Sequence, residues 1–452
     1  MLDLFITGAD VVLEGAVSSV NIGIQGERIS ALVDRETSLE AREVIDAKGK
    51  VIIPGVIDPH VHFSTFSPHI DTFETAAVSA AHGGVTTMIP FIFGQKERSL
   101  LNDVKHFIKE GEETSVIDFG LHARILPTPQ DVQDIPEIIK LGVNTIKMFM
   151  AYRKRGIMID DYHLTKAMEV VAKHGGLAMV HAENGDVIDY LEDKYIAEGK
   201  RGSEHYAPTR PNSVEAEAIN RAVIVAAHTS CPLYVVHLSA EEGLQEIIRA
   251  KAQGKRLYAE TCPQYLTLTD ETMKGQGALA KIAPPMRDPK DLDAMWFGIQ
   301  KGFIDTIGSD HAPYTIQQKR EAGDNIFGVP FGMAGLETLL PILYSEGVAK
   351  GRLTLSQLVD LTSKNVAKVF GLYPKKGVIR IGSDADLVAI DPNLEWEIKA
   401  VDLHTRSDST CFEGWQVKGK SVMSLLRGKV LLKEGALMQK KEYGKFIARP
   451  VS

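Results

Sequence analysis

Two histidines stand two apart in Pro54-Gly55-Val56-Ile57-Asp58-Pro59-His60-Val61-His62, directly after an apolar run. In extended backbone such a pair points to one side, and neutral imidazoles are natural metal ligands. The placement recurs. His181 ends Leu-Ala-Met-Val-His, His237 ends Leu-Tyr-Val-Val-His, Asp310 follows Asp-Thr-Ile-Gly-Ser, and Lys147 ends Val-Asn-Thr-Ile-Lys. Taken singly, a strand-end histidine is most simply a hydrogen-bonded structural residue, and a strand-end lysine is ordinarily solvated. Six ligand-type side chains at five such ends exceed chance placement. Lys147 differs from the rest because an ammonium cannot ligate a cation. Burial depresses a lysine's pKa, and a neutral amine can add carbon dioxide. The resulting carbamate offers two oxygens that can bridge two cations. Such a pair, about 3.5–4 Å apart, stabilises both the attacking and the leaving oxygen in a displacement.

These residues need a scaffold that gathers strand ends. Eight apolar or β-branched runs cover 51–57, 85–91, 116–121, 143–148, 177–180, 233–236, 256–259 and 304–307. The gaps accommodate the crossover helices that parallel strands require. Helical periodicity fills 75–82, 161–174, 213–227 and 240–253. Eight such units predict an α/β protein built on a (β/α)8 TIM barrel, whose sites form at the carboxyl ends of its strands. A doubly wound open sheet competes with it. The chain ends have another texture, with strand patterns at 4–11, 20–25, 28–33, 386–390, 417–420, 423–427 and 429–433. Chain termini commonly lie close together. We therefore expect one small discontinuous β-sandwich domain from 1–53 and 376–452, and a catalytic barrel from 54–375.

The bulk chemistry limits the possible partners. With 452 residues, 51 Lys plus Arg against 59 Asp plus Glu, and a net charge of −8, the chain carries no basic excess for nucleic acid or an anionic membrane. An apolar fraction of 44% excludes a disordered chain. The three cysteines (Cys231, Cys262, Cys411) lack C-x-x-C spacing. A disulfide framework or thiolate zinc site is therefore not expected, and a reducing, cytoplasmic setting is. No signal peptide or apolar run of membrane-spanning length is visible.

The segments PGVIDPHVHF, KMFMAY, VHAEN, VVHLS, AETCPQYLTL and GSDHAP resemble the motifs of cyclic-amide hydrolases of the amidohydrolase superfamily. The nearest resemblance is to the dihydropyrimidinase and hydantoinase family. It covers nearly the whole chain, including a closing Gly444-Lys445-Phe446. The resemblance implies a barrel with a β-sandwich and a centre of two divalent metal ions, usually zinc. His60, His62 and Asp310 would hold the more buried ion, His181 and His237 the second, and N6-carboxylated Lys147 would bridge them. Asp310 would be the general base and Tyr152 the donor to the developing oxyanion. Phe149 would line the substituent pocket, and Ala283 and Phe331 would mark backbone that grips the ring amide. The implied substrate is a small cyclic amide, opened to an N-carbamoyl acid by a water activated between the metals. The implied assembly is a homo-oligomer, tetramer or dimer.

Some positions depart from that pattern. Ala283-Pro284-Pro285 stands where the family commonly has Ser-Pro-Pro, and Pro330-Phe331-Gly332 where it has Pro-Asn-Gly. The run from Phe331 to Glu337 looks more like dihydroorotases and allantoinases. Dihydroorotases, however, carry an arginine two residues after H-x-H, where this chain has Ser64. Allantoinase is thus the nearer alternative and dihydroorotase the more distant one. A metal-free assembly protein of the same fold is disfavoured by the intact donor set, and a one-metal deaminase by Lys147. Phe63 and Phe66 are candidates for an apolar wall, whereas Phe93 is expected in barrel-top packing. Arg153-Lys154-Arg155-Gly156 is expected as a solvated loop tip, with a flexible lid beside the site as the second reading. His311 has two even readings, orienting a ligand or a purely structural hydrogen bond. Cys262 is expected to pack.

Overall fold

In the computed structural model, which describes residues 1–63, 70–93 and 98–449, the middle of the chain forms a barrel of parallel strands. Ser64 and Phe66 lie outside the described residues. The strands are Val56–Val61, Val85–Phe93, a third split into Asp118–Phe119 and His122–Arg124, then Thr145–Phe149, Leu177–His181, Leu233–Val235, Leu257–Thr261 and Thr306–Ile307. Each pairs in parallel with the next. The ring is completed by a parallel bridge between Val61 and His311. The His62 amide donates to the His311 carbonyl at 2.7 Å, and the Ser309 amide and hydroxyl donate to Asp58 and to the His60 carbonyl at 3.1 and 3.2 Å. Segments bearing proposed metal donors therefore form the seam of the barrel.

The outer helices follow their apolar stripes. Asp161–Lys173 is capped by Asp160, whose carboxylate accepts from the His163 amide. It buries Leu164, Ala167, Met168 and Val171, a 3–4 spacing that sets one face on the strands. Each large member stabilises by about 1.5–3 kcal/mol. Helices Phe73–His82, Asn212–Thr229 and Glu241–Ala252 match the other expected spans to within two residues.

Three expected runs break differently. The run at 51–57 divides at Gly55. Val51–Pro54 joins the end-built sheet and Val56–Val61 the barrel, so His60 lies inside a strand rather than beyond it. A side chain at Gly55 would overlap the Thr86 hydroxyl, so the crossing needs glycine. The run at 116–121 continues past a break to Arg124. The two runs at 417–427 are one strand, Gln416–Leu426.

The chain ends build two sheets. One orders Arg28–Asp34, Val20–Gln25, Leu2–Thr7 and Ala41–Asp46. The other has seven strands, in which Val51–Pro54 pairs antiparallel with Leu387–Glu397. Their shared core includes Leu4, Ile6, Ile22, Ile24, Ile52, Leu387 and Leu425. The tail returns to the barrel. The Ile447 amide donates to the Phe119 carbonyl at 2.7 Å. Arg449, 1% exposed, donates to the Leu121 carbonyl and to Thr145.

A buried charge cluster ties these parts together. Lys376 Nζ lies 2.7, 3.3 and 2.6 Å from carboxylates of Asp118, Asp384 and Asp386. Burial opposes its charge, yet the three carboxylates hold its ammonium pKa well above the usual range. Arg427 also pairs with Asp118. We expect Lys376→Met, which leaves those acids under-compensated, to cost about 3–5 kcal/mol of stability. Denaturant unfolding checks it, and a loss below about 1 kcal/mol would show that the cluster relaxes without its lysine.

Candidate active site

Ten residues singled out from the sequence line one cavity of about 250 Å³ at the carboxyl ends of the strands: His60, His62, Lys147, Phe149, Tyr152, His181, His237, Ala283, Asp310 and Phe331. Asp310 Oδ1 is 3.0 Å from His60 Nε2 and 3.2 Å from His62 Nε2, and the two Nε2 atoms are 3.2 Å apart. His181 Nδ1 lies 2.9 Å from His237 Nε2, and the His60 and His237 ring centres are 5.4 Å apart. The two groups of donors thus adjoin. Lys147 is 1% exposed, with Nζ 5.0 and 5.2 Å from the Phe91 and Phe149 ring centres.

The hydrogen bonds behind these donors fix which atoms face inward. Glu260 accepts from His60 Nδ1 at 2.6 Å, so Nε2 is the nitrogen turned toward the cavity. Glu183 accepts from His181 Nε2 at 2.7 Å and is itself paired with buried Arg210. His181 therefore turns Nδ1 inward. A lone pair 3.0 Å from a carboxylate oxygen, beside another imidazole nitrogen, repels both neighbours unless a proton or cation lies between them. The donor set fits divalent metal, with imidazole and carboxylate ligands in the mixture zinc accepts.

The electrostatics agree with that geometry. Burial opposes charge on His60, but Glu260 and Asp310 push its pKa up to about 9. Burial lowers His62 to about 4, and burial with the neighbouring His181 holds His237 well below the usual range. Against the cost of burial, His60 and His62 hold the Asp310 carboxyl well below the carboxylate range. Burial brings Lys147 down to about 7, so much of it is neutral amine near neutral pH. Burial raises the Tyr152 phenol, which stays protonated and able to donate. Tyr152, His237 and Asp310 have φ of 72°, 40° and 51°. Left-handed backbone at non-glycine residues costs of order 1–3 kcal/mol each and gathers at functional sites.

Other residues depart from expectation. Phe93 lines the cavity, its ring 5.4 Å from His62, because its strand runs two residues beyond the expected end. Phe63 instead packs against Phe73. Arg155 is exposed, as expected of a solvated loop tip, and it also lines the cavity, with its guanidinium 4.2 Å from the Phe331 ring centre. His311 donates to Asp71 at 3.0 Å and accepts from the Gly335 and Leu336 amides, which favours the structural reading. Cys262 is buried among core residues, as expected. Glu183, Glu260 and Arg124 were not anticipated. Glu183, two residues past His181, was the most visible of them.

The amidohydrolase family model matches residues 51–431. The chain is 40% identical to D-hydantoinase of Ralstonia pickettii, over 99% of each. A solved structure of a D-hydantoinase superposes with a TM-score of 0.95 at 39% identity, covering 100% of this chain and 99% of that one. The chain belongs to the hydantoinase family of amidohydrolases. A dihydropyrimidinase from Brevibacillus agri also superposes on this hydantoinase-family chain, with a TM-score of 0.95 at 34% identity over 100% and 99%. This family membership bears out the expected barrel with its end-built β layer and the expected class of enzyme. Among the described residues of this family member, no helix is long and apolar enough to cross a membrane.

Proposed function

We propose that this chain hydrolyses the ring amide of dihydropyrimidines and hydantoins, giving N-carbamoyl amino acids. The observation that carries the reading is the convergence of six metal-type donors and Tyr152 on one cavity. His60, His62 and Asp310 would hold one divalent ion and His181 with His237 a second, zinc being the expected metal. N6-carboxylated Lys147 would bridge them. Bound there, the ions would polarise the ring carbonyl and make water nucleophilic near neutral pH.

The chain's own groups do the rest. The Ala283 and Phe331 segments hold the ring amide through backbone, while Phe149 and Phe93 flank the substituent. The position of Gly332, at φ 133° where a side chain would meet the Ala312 carbonyl, keeps that backbone close to the cavity. The Tyr152 hydroxyl, on a ring 5.0 Å from His181, donates to the oxyanion as the carbonyl carbon becomes tetrahedral. Asp310 takes the nucleophile's proton and delivers it to the ring nitrogen as the C–N bond breaks. Water adds across that bond, with oxygen on carbon and hydrogen on nitrogen. We assign the chemistry to 54–375 and the β-sandwich to 1–53 and 376–452. A cytoplasmic homo-oligomer is the expected form, supported by three free, buried cysteines and by the family resemblance.

A hydrolysis panel tests the reading. Dihydrouracil, hydantoin and 5-substituted hydantoins should be opened by the metal-loaded enzyme faster than allantoin or dihydroorotate. Turnover of allantoin or dihydroorotate alone would move the chain to those activities. A metal-free protein inert toward the whole panel would support the assembly role.

A further inference from the structure

Two lysines that take no part in the chemistry above are buried behind the cavity wall. Lys281 is 0% exposed and Lys319 2%. Their hydrogen-bond partners, among the described residues, are all backbone carbonyls. Lys281 Nζ donates to the carbonyls of Ile326, Phe327 and Val329 at 2.7, 3.3 and 2.7 Å. Lys319, on the short helix Ile316–Arg320, donates to those of Lys281 and Pro330 at 2.8 and 2.9 Å. The Lys281 carbonyl also accepts from the Gly332 amide at 3.0 Å. The two amines thus join the segment 326–332 to the segment 281–285. Burying an amine costs free energy that its hydrogen bonds must offset. An apolar side chain of similar length would fill the space without that cost, so what the lysines add is the placement of these carbonyls.

The ties flank two positions on the cavity wall. On one segment, the carbonyls either side of Ala283 are held from behind. The Tyr206 hydroxyl donates to Ile282 at 2.8 Å, and the Tyr265 hydroxyl donates to Pro284 at 2.7 Å. On the other segment, the Pro330 carbonyl is held by Lys319 and the Gly332 amide by the Lys281 carbonyl. Between these ties, the N–H and C=O of Ala283 and of Phe331 make no hydrogen bond with the described residues. Both residues line the cavity. Backbone polar groups out of water are nearly always paired. Two unpaired sets beside a cavity therefore suit a ligand that brings its own donor and acceptor, and a ring amide brings an N–H and a carbonyl.

We propose that Lys281, Lys319 and Tyr206 are positioning residues for the substrate, which hold the unpaired backbone of Ala283 and Phe331 in place at the cavity wall. The inference rests on the ring-opening reading and assigns the residues that shape its grip on the ring amide. None of the three lines the cavity, and each acts through the backbone it ties down.

The test measures kcat and KM for hydantoin or dihydrouracil, whichever the natural metal-loaded chain opens faster. Metal content by elemental analysis and thermal unfolding are recorded beside them. Lys281→Met and Lys319→Met keep the reach of the side chain and remove its donors. We expect kcat/KM to fall by roughly 10- to 100-fold in each, the scale on which one or two lost hydrogen bonds act. Most of the fall should lie in KM, the mark of lost substrate binding, with the metal content of the natural chain retained. Tyr206→Phe removes one hydroxyl and keeps the ring, so it decides the question if a lysine variant does not fold. Its KM should rise by roughly 3- to 10-fold. A purely structural role predicts a lower unfolding temperature with KM unmoved. KM within about twofold of the natural value in every variant that folds overturns the proposal while ring opening stands. A fall confined to kcat, or one accompanied by loss of metal, overturns it too. If the natural chain opens neither hydantoin nor dihydrouracil, the ring-opening reading fails and takes this one with it.

Discussion

Lys147→Ala is expected to empty the site of its paired metals and abolish useful turnover. The side chain is buried on the fourth barrel strand, with its amine near the Phe91 and Phe149 rings, and lines the same cavity as both histidine groups. No other described residue lining the cavity offers a bridging acid beyond Asp310. Elemental analysis should find about two divalent ions per natural chain and about one or fewer in the variant. Each action of a two-metal clamp is worth several kcal/mol, so kcat should fall on the order of 10³-fold or more. Added acetate or propionate, small enough to occupy the vacated space, should restore part of both metal content and rate. Unchanged metal and unchanged kcat would remove the bridge from the mechanism.

Asp310→Asn separates metal holding from proton transfer. The amide retains one oxygen near His60 and His62 but cannot take a proton from the nucleophile. General acid–base groups typically contribute 10²–10⁴-fold, and we expect kcat to fall by roughly that factor. Metal content must be measured in parallel. A variant that keeps its metals and stays within tenfold of the natural kcat would assign the base to another group. The φ of 51° at Asp310 sets the aim of this side chain. Asparagine tolerates the left-handed region as readily as aspartate, so the substitution leaves that backbone largely undisturbed.

The six proposed donors were legible because each lies at or just past the end of an apolar run, and a parallel barrel turns all such ends to one rim. Their partners were not. Glu260 supports His60 across 200 positions of sequence, and no local pattern encodes that distance. Arg124 was hidden by a short interruption in its strand, which made the run appear to stop at Leu121. Phe93 was misplaced for a similar reason, a strand two residues longer than its apolar run. Arg155 sits in a charged tetrapeptide that looks like plain solvent-facing loop. It is that, and what the tetrapeptide does not show is that exposed Arg155 also borders the cavity. Boundaries failed where a single glycine redirected the chain, as at Gly55, whereas the order and number of barrel strands did not.

The docking of the last described residues bears on how the molecule is made. Ile447 and Arg449 seat against Phe119, Leu121 and Thr145, and Val51–Pro54 waits for Leu387–Glu397. Ribosomes release a chain from its amino end at about 5–20 residues per second, so the first sheet partner waits on the order of tens of seconds for its mate. Through that interval the unpaired edge of Val51–Pro54 and the lower rim of the barrel stay open to solvent and to neighbouring nascent chains. The contacts of Ile447 and Arg449 can form only after position 449 has left the exit tunnel, so they close this part of the fold late.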